Sequence, residues 1–195
     1  MKIALRCQCG KLRGEINLDG VATRAICYCK DCQAYARFLS SPPRLLDAAG
    51  GIDIVPTLPA ALRFTQGIEQ LACMSLGEKG LYRWYARCCR TPVGNTPRTP
   101  KLSYVGIPRA LFDAPDALID QQLGPARTTL NTESARSPVA ATPVRVAWAV
   151  ARIGKMIWGA RLSGRYLNNP FFDPASRKPV CVVQVLSGAE RAALE

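Results

Sequence analysis

Residues 3–18, IALRCQCGKLRGEINL, alternate apolar and polar side chains on either side of Gly10. Period-two alternation about a glycine predicts a β-hairpin with Leu12, Gly14, Ile16 and Leu18 on one face. The same stretch carries Cys7 and Cys9. Residues i and i+2 of a strand face one side, so both thiols can reach one metal ion. That makes half a site, and it directs attention to the other cysteines.

The chain has nine cysteines and no histidine. Five of the nine fall within the first 32 residues, where ICYCKDCQAYARFL at 26–39 adds Cys27, Cys29 and Cys32 just ahead of a helical pattern running from Asp31 to Leu39. Ala34 and Phe38, with Tyr35 and Leu39, are expected on its buried side. Disulfides, metal and catalysis are the candidate explanations. MKIALRCQCG has no apolar segment of the length a secretory signal needs, and no apolar run reaches a membrane span, so the expected compartment is the cytoplasm. Clustered cysteines in a reducing compartment point to metal or catalysis over disulfides, and an odd count fits complete pairing poorly.

Tetrahedral zinc wants four sulfur or nitrogen ligands, so the second half of the Cys7/Cys9 site should be Cys88 and Cys89 in RCCR. Adjacent strand residues point to opposite faces, and the two can share a metal only if the backbone turns there. Cys27, Cys29 and Cys32 supply three thiols, enough to hold zinc and leave one position open, which distinguishes a catalytic from a structural ion. Two zinc ions are therefore expected, one at minimum, and an all-sulfur donor set argues against magnesium, calcium or manganese. Cys73 and Cys181 stand alone in apolar strand-like stretches and read as small core residues.

Outside the cysteines, ATRAICY, ALRFTQ, QLACMSL and LYRWYA read as strands, with turn signals at 40–44 (SSPPR) and 50–53 (GGID). RTPVGNTPRTP at 90–100 is rich in Pro, Gly and Thr and reads as an ordered loop or boundary. DAPDALIDQQLG predicts a short helix and 143–162 a longer one. Its Val146, Val150, Ile153 and Ile157 are expected to face inward, with Arg145, Arg152 and Lys155 on another face. The helix is expected to pack on the sheet with Trp148 and Trp158 partly buried, a membrane surface being the alternative. PVCVVQVL is a strand, and Ser187 with Glu190 forms a capping box opening a last helix.

These readings give a mainly β chain with α additions. A zinc-binding domain is expected over 1–110, and over 111–195 a helical extension with one returning strand, packed on the same domain. With 26 Lys and Arg against 14 Asp and Glu, the formal charge is +12, which attracts anions without choosing among them.

CQCGKLRGEI, then CYCKDC, then RWYARCCRTPVGN together resemble the glutathione-dependent formaldehyde-activating enzyme and centromere protein V family of zinc proteins, over about residues 3–95. The resemblance implies a β-tent of small antiparallel sheets. It also implies a structural zinc on the first and last cysteine pairs, and a second, substrate-facing zinc on Cys27, Cys29 and Cys32. The implied reaction makes and breaks a carbon–sulfur bond, forming S-(hydroxymethyl)glutathione from formaldehyde and glutathione. Cys7, Cys9 and Cys89 match structural ligands of the family, whereas Ala86 stands in the register of its first late cysteine, making Cys88 a displaced substitute. Arg90 stands where the family has glycine.

A carbon–sulfur lyase-like enzyme of this kind would take a small thiol such as glutathione, and Arg24, Lys30, Arg37, Arg83 and Arg87 are candidates to receive its carboxylates. Acid–base help would come from Asp31, Tyr28, Tyr35 or solvent. The alternative is a non-catalytic zinc scaffold whose basic surface binds nucleic acid or a protein partner, although no nucleic-acid-recognition motif is present.

Overall fold

A computed structural model of the chain describes residues 1–20, 23–40 and 45–194. The first hairpin is β1 (Lys2–Arg6) and β2 (Arg13–Asn17), with Ile3 opposite Ile16 and Leu5 opposite Gly14. Its inward side chains, Ile3, Leu5, Leu12 and Ile16, are buried, as the alternation requires. β3 (Ala25–Cys27) leads into α1 (Lys30–Phe38), where Tyr35 and Leu39 are buried and Phe38 is half-buried.

Six strands follow: β4 (Ile52–Thr57), β5 (Leu62–Gln66), β6 (Leu71–Ser75), β7 (Tyr82–Ala86), β8 (Thr91–Thr96) and β9 (Val105–Pro108). Then come α2 (Asp116–Leu123), β10 (Thr128–Leu130), α3 (Pro143–Leu162), β11 (Val183–Val185) and α4 (Gly188–Ala192). Ser187 and Glu190 close the expected capping box on α4. Gly50, with φ of +86°, makes the turn before β4. The SSPPR turn lies outside the described residues apart from Ser40.

The protein is mainly β. A three-stranded sheet runs β1-β2-β5, and an eight-stranded one runs β10-β3-β4-β9-β8-β7-β6-β11. The interior pairs are antiparallel, whereas the edge strands β10 and β11, both from beyond residue 110, pair in parallel with β3 and β6. Between the sheets Trp84 is fully buried, with Phe171 packed on it at 5.0 Å. The indole N–H donates to Thr96 Oγ1 at 2.9 Å, so its one polar atom is satisfied inside the core.

Two expectations are corrected. Residues 91–96 form not a loop but β8, an entirely buried strand between β7 and β9. Pro92 is tolerated because the β7–β8 register shifts beside its partner Tyr85. Gly94 is needed because a Cβ there would meet Val105 at 2.9 Å. The composition that suggests a loop thus reflects close packing.

The second correction concerns α3. Of the residues expected to face inward, Val146, Ile153 and Ile157 are half-buried beside the buried Ala149 and Ala160, whereas Val150 is 62% exposed, and Trp148 and Trp158 are 67% and 66% exposed. The helix packs on β10 and on the turn at 165–167, and Thr129 N–H and the Thr142 hydroxyl bond at 2.9 Å near its start. This contact covers a narrow stripe and leaves both tryptophans in solvent.

Candidate metal centres

Cys7, Cys9, Cys88 and Cys89 form one cluster and Cys27, Cys29 and Cys32 another; within each, all sulfurs lie within 4.8 Å of one another. All nine cysteines are free thiols.

In the four-cysteine cluster, Cys7 and Cys9 lie beyond the end of β1 rather than within a strand. The backbone folds into a knuckle in which Gly10 N–H donates to Cys7 O at 2.9 Å and Leu12 N–H donates to Cys7 Sγ at 3.3 Å. Gly10 has a φ of +75°, which glycine adopts without steric cost. On the facing side the chain turns between β7 and β8, with Arg90 N–H donating to Ala86 O at 2.8 Å. This turn brings the adjacent Cys88 and Cys89 to one cluster, meeting the condition that the backbone turn there.

Cys9 and Cys88 sulfurs are 3.3 Å apart, Cys7 and Cys9 3.6 Å, and Cys7 and Cys88 3.8 Å. Four sulfurs at about 2.3 Å around a tetrahedral zinc lie roughly 3.8 Å from one another, a separation that Cys7–Cys88 and Cys88–Cys89 match and Cys9–Cys88 falls short of. Arg90 has a φ of +56°. It is held there by a bond from its guanidinium to Phe38 O at 2.8 Å and by stacking over the Phe38 ring.

Thr91, which carried no signal in the sequence, is buried beneath this cluster. Its hydroxyl accepts from Gln8 N–H at 3.0 Å and meets Cys89 Sγ at 3.1 Å. Burial pushes the Cys89 thiol up, but hydrogen bonds from Thr91 and from the Cys9 backbone outweigh it and bring the group down to about 6.

The three-cysteine cluster sits where β3 meets α1. Cys27 ends the strand, Cys29 is the helix N-cap, and Cys32 lies in the first turn, its N–H donating to Cys29 Sγ at 3.3 Å. Among the described residues, no carboxylate or further thiol joins the three. Hydrogen bonds from Cys29 and Cys32, with one from Asn131 Nδ2 at 3.4 Å, hold the Cys27 thiol far below its ordinary range. The thiols at the start of the helix are themselves raised, Cys29 by its bond to Cys27 and Cys32 by its bonds to Cys27 and Cys29, so within the cluster the thiolate is favoured at Cys27 alone.

Of the five candidate cations only Arg83 reaches this cluster. It is buried, with Nη1 3.9 Å from Cys32 Sγ, and Nη2 3.7 Å from Asp31. Arg24 is consumed by Asp53 and Asp120. Arg37 donates to Leu194 O, and Arg87 donates to Leu71 O at 3.1 Å. Lys30 is exposed on the first turn of α1.

The acid–base candidates are similarly occupied. Tyr35 donates to Trp84 O at 2.8 Å, Tyr28 to Asp47 at 3.1 Å, and Asp31 pairs with Arg191 at 2.8 Å. Tyr104, which sequence reading missed, lies near enough that the negative charge of Cys27 and Cys32 adds to burial in raising its phenol to about 12. Gln33 was also missed. It is buried, and its side-chain amide donates to Tyr28 O at 2.9 Å and Ser134 O at 2.8 Å, tying the 131–136 segment to α1. Cys73 is buried as expected, whereas Cys181 is only half-buried.

The fold and the clusters define a mainly β protein with two groups of cysteines that can hold metal ions. The chain belongs to the family described as "Family of unknown function (DUF6151)", whose model matches residues 1–184. No curated protein matches it. A crystal structure of a Rhodobacter sphaeroides protein is similar over 67% of this chain and 100% of that one, at 20% identity and a TM-score of 0.44. No helix among the described residues is long and apolar enough to cross a membrane.

Proposed function

We propose that the four-cysteine cluster holds a structural zinc, and that the three-cysteine cluster holds a second zinc at which a small thiol adduct of the glutathione type is made or broken, a carbon–sulfur lyase-like activity. The observation that carries this reading is the contrast between the clusters: four convergent sulfurs close one coordination sphere, while three leave a place in the other. The resemblance of CQCG, CYCKDC and RWYARCC to the formaldehyde-activating family supports the substrate class.

Zinc at the open cluster would lower the pKa of a thiol on its free position and so supply a nucleophile for a carbonyl carbon. The chain's own residues prepare that position. Three thiolates around a divalent ion carry a net charge of about −1, which the buried Arg83 guanidinium balances from 3.9 Å. Asn131 holds Cys27 by its amide hydrogen, and the Arg83–Asp31–Arg191 chain of ion pairs fixes the first turn of α1. Lys30, exposed beside the cluster, is the cation left to meet a substrate carboxylate. Tyr104, whose phenol is pushed up by burial and by the Cys27 and Cys32 charges, keeps its proton and can serve a bound oxygen as a hydrogen-bond donor rather than as an acid.

The test is native mass spectrometry followed by calorimetric titration with glutathione. Two zinc ions per chain are expected, with thiol uptake that releases protons and disappears in Cys29→Ser. Protein prepared without chelator or oxidant that holds no zinc would overturn the reading. Zinc-loaded protein that ignores thiols would leave a scaffold in place of an enzyme.

A further inference from the structure

The outer face of α3 serves neither metal cluster and is built in an uncommon way. At 100° per residue, Val144, Ala147, Trp148, Ala151, Trp158 and Leu162 fall on the side of the helix opposite its buried Ala149 and Ala160. Val144 is 81% exposed and Leu162 76%, and the two tryptophans are about two-thirds exposed. Arg145 and Arg152 border this stripe on one side and Arg161 on the other, and Lys155 lies near its middle; all four are exposed.

From Ser134 through Phe172 the chain has no Asp or Glu, and it has six cations: Arg136, Arg145, Arg152, Lys155, Arg161 and Arg165. Beside the helix, Arg127, Arg145 and Arg152 with Trp148 help line an open cleft of about 520 Å³. Arg145 and Arg127 have no ion pair among the described residues, and Arg152 stacks over the Trp148 ring at 5.5 Å.

We infer that α3 is a membrane-surface helix, which lies in the interface of a bilayer containing anionic phospholipid. Its tryptophans and aliphatic side chains enter the acyl boundary, and its arginines bind lipid phosphates. An apolar face flanked by cations is the composition that binds in the plane of an interface. Tryptophan suits the headgroup depth, and Lys155 can extend from the apolar stripe toward the phosphates along its aliphatic stem.

Charge complementarity selects this occupant over a second copy of the chain. Two such helices face to face would oppose cations without a carboxylate on either to pair them. A nucleic acid would pair with the arginines and leave the central apolar stripe without a partner.

The experiment uses the full zinc-loaded chain with vesicles of phosphatidylcholine alone or mixed with phosphatidylglycerol, read by co-sedimentation and tryptophan fluorescence. The chain has three tryptophans, and Trp84 is already fully buried, so a blue shift reports Trp148 and Trp158. Expected are binding to mixed vesicles only, a blue shift, loss at high salt, and at least tenfold weaker binding in both Trp148→Ala/Trp158→Ala and Arg145→Gln/Arg152→Gln. These side chains are exposed, so unchanged zinc content and circular dichroism should show that the variants are folded.

Absence of vesicle binding overturns the inference, as does binding that survives both double substitutions. A concentration-dependent dimer abolished by Trp148→Ala/Trp158→Ala, with vesicles ignored, would assign the face to a second copy. Duplex DNA binding abolished by Arg145→Gln/Arg152→Gln, again with vesicles ignored, would assign it to nucleic acid. Vesicle binding displaced by inorganic phosphate alone would reduce the face to a free-anion site.

Discussion

Removing the thiols on one side of each cluster should separate their roles. Cys88→Ser/Cys89→Ser leaves two sulfurs in the four-cysteine cluster, and Cys29→Ser leaves two in the other, so each variant reduces its metal site to the same remainder. What differs is the length of chain that the metal closes. Cys9 and Cys88 are 79 residues apart, and a cross-link over such a loop removes roughly 4–5 kcal/mol of chain entropy from the unfolded state. Cys27 and Cys32 are five residues apart, and the corresponding figure is about 2 kcal/mol. The four-cysteine cluster also joins the turn of the smaller sheet to the β7–β8 turn of the larger one, whereas the other cluster joins only neighbouring residues. With a domain's whole stability at about 5–15 kcal/mol, Cys88→Ser/Cys89→Ser should lose a large part of it. Cys29→Ser should lose about 2 kcal/mol less and stay folded with one fewer metal. Serine is close to cysteine in size and these positions are half-buried, so packing changes are small. Urea unfolding with metal content measured on the same samples gives the comparison. Equal losses, or greater loss in Cys29→Ser, would refute the assignment of roles.

Arg83→Gln should weaken metal at Cys27, Cys29 and Cys32 by tenfold or more and leave the four-cysteine cluster loaded; a charge near 4 Å at an effective dielectric of 20 is worth up to about 4 kcal/mol, and competition with a graded chelator reads the difference. At Arg90, whose φ is +56°, Gly should be more stable than Ala by about 1 kcal/mol, measured by denaturant unfolding; the opposite order would mean that the turn relaxes when the Phe38 contact is lost.

The hairpin, α1, the strands over 62–86 and the last capping box were legible because local patterning and burial agree there. Residues 91–96 were not, because Pro92 and Gly94 answer to a register shift and to a neighbouring strand that only the folded sheet supplies. The inner face of α3 was legible only in part, since Val146, Ile153 and Ile157 do lie on it and Val150 does not. With Val, Ile, Met and Trp distributed around the helix, no periodicity singles out Ala149 and Ala160, and the narrow contact with β10 decides the matter. The cysteine groups could be read from spacing, although Cys7 and Cys9 meet through a knuckle at 7–12 in place of the expected strand, and Cys88 and Cys89 meet only because the chain turns at 87–90. Their supporting groups could not. Thr91, Gln33, Tyr104 and Asn131 carry no motif, and Asn131 lies 104 positions from the sulfur it touches.

That separation bears on what the open cluster would act upon. The resemblance extends over about residues 3–95, but several groups around Cys27, Cys29 and Cys32 come from outside that range. Asn131 donates to Cys27, Arg136 holds the buried Gln33 at 3.1 Å, and Arg191 on α4 clasps Asp31. β10, which carries the chain to Asn131, pairs with β3 residue for residue, Leu130 opposite Cys27. The second half of the chain therefore forms part of the wall of a cluster whose cysteines all come from the first. The groups that surround the three cysteines thus come in part from segments outside the resemblance. Under the proposed function, therefore, the cysteines would set the reaction type, while Asn131, Arg136 and Arg191 would help set which substrate fits. Asn131→Ala should then change thiol affinity with zinc content unchanged, read by the same glutathione titration.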